Sequence, residues 1–433
     1  MTGRVAIVGG GWAGMAAAVT LACAARPVTV FEAAQVLGGR ARRVVVDSRT
    51  VDNGQHVLLG AYAQTLALLR TVHGDRAERE LFDRRRLHLE EPGVFRLKTP
   101  ALPAPWHLGV ALLAMRGLSR HDRLETVMFV RRLSRGRFCC APQLTVGALL
   151  ADQPELVVKL LWEPLCLAAL NTPVDAASAQ IFLNLLRAAF AVHAHDSDLL
   201  LPRVDLTALF PAAAAVHVAA RAGEVRMGVT VTRITALGDS VAVASHAGEE
   251  RFAAAIIAVA PHQLAHVLEP SASSCASAAL AHVATFAYEP IRTTYLQYSR
   301  ALGLPQPMLK LDGDPGQWII DRGQLGEAPG LAAVVISTDV AAARIDHDAL
   351  AHAIDAQLRR RAPDLPPPEW TQTIAERRAT YACMAGLVRP APGPLDKRLY
   401  LAGDYTDAEF PSTLEAATRS GVAAARQLLA AHL

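Results

Sequence analysis

Lysine is almost missing from this chain: Lys98, Lys159, Lys310 and Lys397 are all that its 433 residues contain, and arginine supplies the remaining positive charge. With a formal net charge of only +3 at pH 7, nothing in the balance favours a nucleic-acid partner. The arginine- and alanine-rich usage reads as coding bias rather than as a designed electrostatic surface. Aromatic residues are also scarce, at 5%, and no aromatic cage for an amine can be picked out. The six cysteines are scattered and none forms a CxxC pair, so a structural zinc site lacks its ligand spacing. Cys139 and Cys140 are adjacent, which is poor geometry for an ordinary bridge. Reduced thiols in a cytoplasmic protein are the simplest account. No uninterrupted apolar run reaches the ~18 residues of a membrane-spanning helix, and there is neither an internal repeat nor a low-complexity linker.

What the chain does have is a core to bury, at 52% hydrophobic and 19% charged residues, and length enough for two domains or one large discontinuous one. Its first fifty residues carry the strongest signal. An apolar strand, Val5 to Val8, runs into Gly9-Gly10-Gly11-Trp12-Ala13-Gly14 and a long alanine-rich helix. A second strand, Val28 to Phe31, ends on Glu32, and Gly38-Gly39-Arg40 follows. This is the opening of a dinucleotide-binding βαβ unit, for FAD or NAD. Gly9 permits the sharp turn, Gly11 keeps side-chain bulk away from a pyrophosphate, and Gly14 lets helix and sheet approach. The helix N-terminus favours the phosphate charge. Glu32 is placed to accept from ribose hydroxyls and would repel the 2′-phosphate of NADP. A leader peptide also has an apolar run near Arg4 with small residues at Ala22 to Ala25, but three consecutive glycines interrupt this one.

Farther along, Leu87 to Lys98 is strand-like, and Pro100, Pro103 and Pro105 mark a boundary. Trp106 to Phe138 reads as a two-faced helical stretch, apolar at Leu108, Leu112, Leu113 and Met115 and then arginine-rich from Arg116 to Arg137. That pattern fits an interfacial helix on a membrane as well as a cover over a substrate domain. Asp152 to Leu170 and Ala176 to His193 are further helix candidates. Strand character returns over Glu224 to Ile234, Ser240 to His246 and Ala255 to Val259. It appears again from Phe286 to Tyr298, near Gln317 to Ile320 and over Leu331 to Ser337. A helix is expected from about His347 to Arg361, and the chain ends in Leu399 to Asp404, a loop and a helix from about Thr413 to Ala431.

Taken together, the glycine turn, Glu32, Gly38-Gly39-Arg40 and Gly403-Asp404 resemble the FAD-dependent amine oxidase and carotenoid desaturase superfamily. Finer matches resemble one branch, the hopanoid-pathway hydroxysqualene dehydroxylases, also called squalene-associated FAD-dependent desaturases. They are Asp52 to Tyr62, Trp162 to Cys166 with Leu170-Asn171-Thr172, Tyr288 to Ile291, Arg378 to Tyr381, and Gly403 to Thr406 with Pro411 to Glu415. Tyr405 and Tyr381 replace the family's Trp and Phe, keeping aromatic character. The resemblance spans the whole chain and implies an α/β fold: a Rossmann-type FAD-binding domain with a discontinuous α+β substrate domain. The expected division is 1–86, 203–270 and 395–433 for FAD binding, and 87–202 and 271–394 for substrate.

The resemblance also implies roles. Gly9, Gly11 and Gly14 would hold the pyrophosphate, Glu32 with the adjoining Ala33 the adenosine ribose, and Gly39 and Arg40 the phosphate and ribityl region. Gly54, Gln55 and His56 would face the isoalloxazine, the backbone of Val231 the adenine, and Gly403-Asp404 the ribityl hydroxyls. Thr413 and Leu414 would present N–H groups at the pyrimidine edge. The implied reaction reduces the allylic alcohol hydroxysqualene to squalene with loss of water, using hydride from reduced FAD. It needs an acid for the departing oxygen; His56 leads the candidates, with Asp407 and Asn171, and with His193, His195 and Asp198 behind. Tyr405 and Phe410 either line the flavin face or pack the core. So long an isoprenoid lives in the bilayer, so a cytoplasmic enzyme would meet it at the inner membrane face. The flavin's electron donor is not named by any second nucleotide motif. A phytoene-type desaturase, running hydride the other way, and a non-catalytic prenyl-lipid carrier of the same architecture are the alternatives.

Overall fold

In the computed structural model, residues 3–269, 273–338 and 345–431 are described. The expected domain boundary at 270 and 271 lies outside them. The organising element is a six-stranded sheet. Its strands neighbour one another in the order Glu224–Met227, Val28–Glu32, Val5–Val8, Ala254–Ile257, Leu399–Leu401 and Gly393–Asp396. The first five run parallel and the last is antiparallel. Val5 pairs with Val28 on one side and Ala254 on the other. The three central strands, Val28–Glu32, Val5–Val8 and Ala254–Ile257, are buried on both faces and read as short, largely apolar runs.

Side-chain alternation divides the sheet's two faces. Val5, Ile7, Val28, Val30 and Ile256 pack with the helices Trp12–Cys23 and Leu414–Ala431. Those helices meet closely because Gly421 has no side chain; a Cβ there would lie 2.1 Å from the Ala13 carbonyl oxygen. Val8, Phe31 and Ile257 face the other way, toward a three-stranded antiparallel sheet of Val231–Ala236, Val241–Ser245 and Gly248–Phe252. Phe31 meets Phe252 there edge-on, with centroids 5.8 Å apart. The expected single strand from 224 to 234 is two strands, broken at Gly228 with φ of 71°.

The second half is built on a five-stranded antiparallel sheet in the order Met308–Lys310, Trp318–Asp321, Leu331–Ser337, Tyr288–Gln297 and Trp370–Tyr381, with the helix His347–Arg361 against one face. The other excursion is helical. The expected continuous helix over 106–138 is two, Trp106–Leu113 and Arg120–Arg135, separated by Gly117 at φ of 89°. Ser119 and Asp122 close a reciprocal capping box on the second. The helix leading to Leu170 contains a π-helical stretch, Val158–Trp162, beside Pro164, which has no N–H to give to the preceding turn. The strand Leu199–Pro202 pairs with Leu58–Leu59 and Phe82–Arg85. The chain has therefore rejoined the first segment before Pro202, earlier than the expected boundary. Among the described residues no helix is long and apolar enough to cross a membrane.

Candidate active site

A cavity of about 890 Å³ opens where strands Val5–Val8, Val28–Glu32 and Ala254–Ile257 end, as open α/β sheets place their ligands. It is lined by Gly9, Gly11, Glu32, Ala33, Gly39, Arg40, Gly54, Gln55, His56, Asn171, Val231, Gly403, Asp404, Thr413 and Leu414. Of the residues expected at the site, Gly14 and Asp407 do not reach it.

The glycine turn is shaped by backbone contacts. Gly9 has φ of 112°, and a Cβ there would sit 2.5 Å from the Ala258 carbonyl oxygen. Gly14 allows a still closer approach, 1.9 Å from its would-be Cβ to the Gly9 oxygen. It shapes the turn from behind and does not line the cavity, which corrects its expected place. Beside Gly11 the nearest atoms to a Cβ are backbone atoms of Gly39 at 3.8 Å and beyond, so an open cradle lies against the start of the helix Trp12–Cys23. That helix has no side-chain cap, leaving its first N–H groups for an anion. Glu32 does more than expected: its Oε2 accepts from Gly10 N at 2.7 Å and its Oε1 from Ala34 N at 2.8 Å. The carboxylate thereby ties the glycine turn to the loop after the second strand. This donor set fits a dinucleotide.

Arg40 reaches from the Gly38-Gly39 loop into the centre. It donates to Asp404 Oδ1 at 2.5 Å and to the Ala379 carbonyl at 2.8 Å. Burial would raise the Asp404 carboxyl, but Arg40 and the hydroxyl of Ser412 outweigh it and hold Asp404 below the usual carboxylate range. Gln55 is fixed from both ends. Its Nε2 donates to Tyr295 Oη at 2.8 Å, Tyr295 donates on to the Asp52 carbonyl at 2.8 Å, and Arg322 donates to Gln55 Oε1 at 3.3 Å. His56 donates through Nδ1 to the Gly54 carbonyl at 3.1 Å. Burial lowers its pKa, the Gly54 bond opposes this, and nearby Arg40 adds to the lowering.

The other acid candidates separate clearly. Asp407 Oδ1 accepts from Glu409 N and Phe410 N, and Oδ2 pairs with Arg419 at 2.8 Å. It pins the loop before the last helix, away from the cavity. Asn171 does line the cavity but has no acidic proton. It ends the helix Glu163–Leu170 in the left-handed region, donates to Thr380 Oγ1 at 2.9 Å and accepts from Thr338 Oγ1 at 2.9 Å, joining two strand ends of the second sheet. His193 and His195 stack on each other, and Asp198 pairs with Arg84; none of the three reaches the cavity. Tyr405 and Phe410 are core residues, packed against Phe286 and Tyr62. Cys166 is buried, and its thiol is pushed up to about 12 by that burial, which suits packing rather than reaction.

Sequence reasoning missed His262, Glu376, Met308 and Trp318 in the lining. Only His262 had a usable signal, being just beyond the end of a sheet strand at Pro261. Its Nδ1 is buried without a partner, and burial followed by Arg378 and Arg40 lowers its pKa.

The family model for flavin-containing amine oxidoreductases matches residues 12–429. The chain belongs to this family. Its cofactor is FAD, and it is an FAD-dependent oxidoreductase. A hydroxysqualene dehydroxylase from Rhodopseudomonas palustris is 29% identical, over 100% of this chain and 99% of the relative. A second from Sinorhizobium fredii is 25% identical, with 98% of each covered. Among solved structures, cyclohexylamine oxidase from Brevibacterium oxydans superposes with a TM-score of 0.71 at 16% identity, over 98% of each chain, a likeness of fold alone.

Proposed function

We propose that this flavoenzyme reductively dehydroxylates hydroxysqualene to squalene, in the FAD and substrate division set out from the sequence but with the first return at the strand Leu199–Pro202. The observation that carries the reading is one cavity that joins the glycine cradle to an apolar end walled by Leu87, Leu165, Phe182, Leu186 and Phe190. The full-length likeness to dehydroxylases supplies the substrate.

Gly9 and Gly11 shape the pyrophosphate cradle, Glu32 and Ala33 meet the ribose, and the Val231 backbone meets the adenine. Gly39, Arg40, Gly403 and Asp404 lie along the ribityl and phosphate region, Gly54, Gln55 and His56 at the ring, and Thr413 and Leu414 at the N-terminus of the last helix. FAD, reduced by an external two-electron donor, supplies a hydride. The chain must bring the proton, since hydroxide leaves poorly. Of the three proposed catalytic groups, His56 alone both faces the cavity and can deliver one: Nδ1–H is held by Gly54, so the protonated ring gives up its proton from Nε2. The C–O bond breaks with water as the leaving group, and the allylic carbon takes the hydride. Apolar walls exclude competing water from that carbon. Product analysis with hydroxysqualene and a reductant tests the reading: squalene should accumulate, and in deuterated solvent it should carry one deuterium. Recovery of a more unsaturated polyene from oxidised enzyme would transfer the protein to the desaturases.

The substrate's home suggests an anionic membrane surface as a partner. Trp106, Val110 and Leu113 are exposed at helical spacing, with Leu102, Leu124 and Met128 also exposed nearby. Arg116, Arg120 and Arg131 flank them, with no acidic partner among the described residues. Leu112, grouped with that face from the sequence, is instead buried. Liposome flotation should fall when Trp106 and Leu113 become Ser, and unchanged flotation would remove the membrane from the account.

A further inference from the structure

We propose that a small void beneath the helix Trp106–Leu113 is the far end of the substrate channel and sets the length of hydrocarbon chain that binds. This rests on the dehydroxylase reading above. The main cavity of about 890 Å³ must hold a dinucleotide and a substrate together, whereas about 300–1,000 Å³ is the room usual for one drug-sized ligand. A long isoprenoid beside FAD therefore needs apolar space beyond it.

Such space adjoins it. A void of about 30 Å³ shares Leu87, Leu165, Leu186 and Phe190 with the main cavity, so only one layer of side chains separates the two. Its far side is formed by Leu97, Leu108, Leu112, Leu133, Phe138 and Leu161. A water there would find only hydrocarbon and aromatic surface around it, so the void stays dry. Close-packed interiors contain few voids of this size, and this one lies on the apolar end of the reaction cavity. The separating wall is also the part best able to move. Leu165 and Phe190 are only half-buried, and Leu165 lies in the first turn of the helix Glu163–Leu170 that continues the π-helical stretch Val158–Trp162. Irregular turns of this kind recur where helices serve function. Rotation of Leu165 and Phe190 joins the two spaces without breaking a hydrogen bond. Each methylene of substrate then buried strengthens binding about fourfold. A chain that is too long meets Leu108, Leu112 and Leu133.

The test uses the FAD-loaded enzyme, titrated with allylic isoprenoid alcohols of about thirty and about fifteen carbons and followed by perturbation of the flavin absorbance. Leu112→Phe, which fills the void, should weaken the longer alcohol about tenfold or more and leave the shorter within about twofold. Leu133→Phe fills the same space from the neighbouring helix and should act alike. Leu186→Ala thins the wall and should shift preference toward the longer chain. Unchanged flavin content shows that each variant is folded. The proposal is overturned if both alcohols weaken in parallel, if neither responds, or if the wild type binds neither. Should the longer alcohol bind with these preferences yet survive exposure to reduced enzyme, the channel stands and the dehydroxylase reading falls.

Discussion

At the turn from Gly9 to Gly14 the surface offered to a ligand is peptide backbone, whereas around Leu165 and Phe190 it is side-chain carbon. The first kind of site tolerates almost no change of shape, because a missing Cβ is what makes room. The second tolerates rearrangement, because each wall residue is one of many. A rigid cradle suits a cofactor that stays in place. A deformable wall suits a greasy substrate that must enter, turn over and leave.

The sharpest way to break this contrast is to change the volume of one residue in each half. Gly14→Ala would place a methyl 1.9 Å from the Gly9 oxygen, at a cost of about 3 kcal/mol; it should purify without flavin. Phe190→Ala removes far more volume yet should retain full FAD stoichiometry by absorbance. Loss of flavin from the Phe190 variant, or its retention by the Gly14 variant, would erase the distinction.

His56 stands where the halves meet, and its substitution should cost nearly as much. His56→Gln is expected to slow dehydroxylation about 10²-fold. Because its pKa lies below the ordinary histidine range, the acid form grows scarcer as pH rises. The wild-type rate should therefore fall about tenfold per pH unit above neutrality, and the variant's profile should be flat. Parallel profiles would reduce His56 to a packing residue.

Glu415 sharpens the comparison from within the nucleotide half. From the C-terminal helix it accepts from Gln64 N at 3.0 Å, Thr65 N at 2.9 Å and Thr65 Oγ1 at 2.7 Å, capping a helix that has no side-chain cap of its own. Glu415→Ala should lower stability by about 2 kcal/mol, read as a drop in Tm without a change in chain-length preference. An altered preference would show that the two halves are mechanically coupled.

Asp52, behind Gln55, gives an effect that appears only as pH is changed and has a definite sign. Burial pushes its carboxyl up to about 7. Between about pH 4 and 7 the unfolded chain is ionised there while the folded one keeps its proton, so stability falls as pH rises through that window. Asp52→Asn removes the penalty. Relative to wild type the variant should gain about 4 kcal/mol between pH 4 and pH 8, with most of the change complete by pH 7. A pH-independent difference in urea midpoints would contradict this.

The same contrast explains what could be read from the sequence. The strand Val5–Val8, the glycine turn and Glu32 are contiguous, so their chemistry shows in a short string of residues. Leu331–Ser337 and His347–Arg361 were equally plain, one as an apolar run and the other from helical spacing. Asp407 was misleading because proximity to a flavin motif along the chain is not proximity in space; Arg419, one helix away, decides its role. The substrate wall gathers Leu87, Leu165, Phe190 and Trp318 from distant segments, and no local pattern marks a leucine that faces a cavity rather than a core. The break at Gly117 was lost because the apolar and arginine-rich patterns on either side merge into one helical period.

The most direct test of the account is a single turnover. Enzyme reduced anaerobically to the hydroquinone and mixed with hydroxysqualene should return to oxidised flavin while forming one squalene per FAD. Flavin that stays reduced in the presence of hydroxysqualene, from enzyme that when oxidised desaturates a polyene, would contradict it.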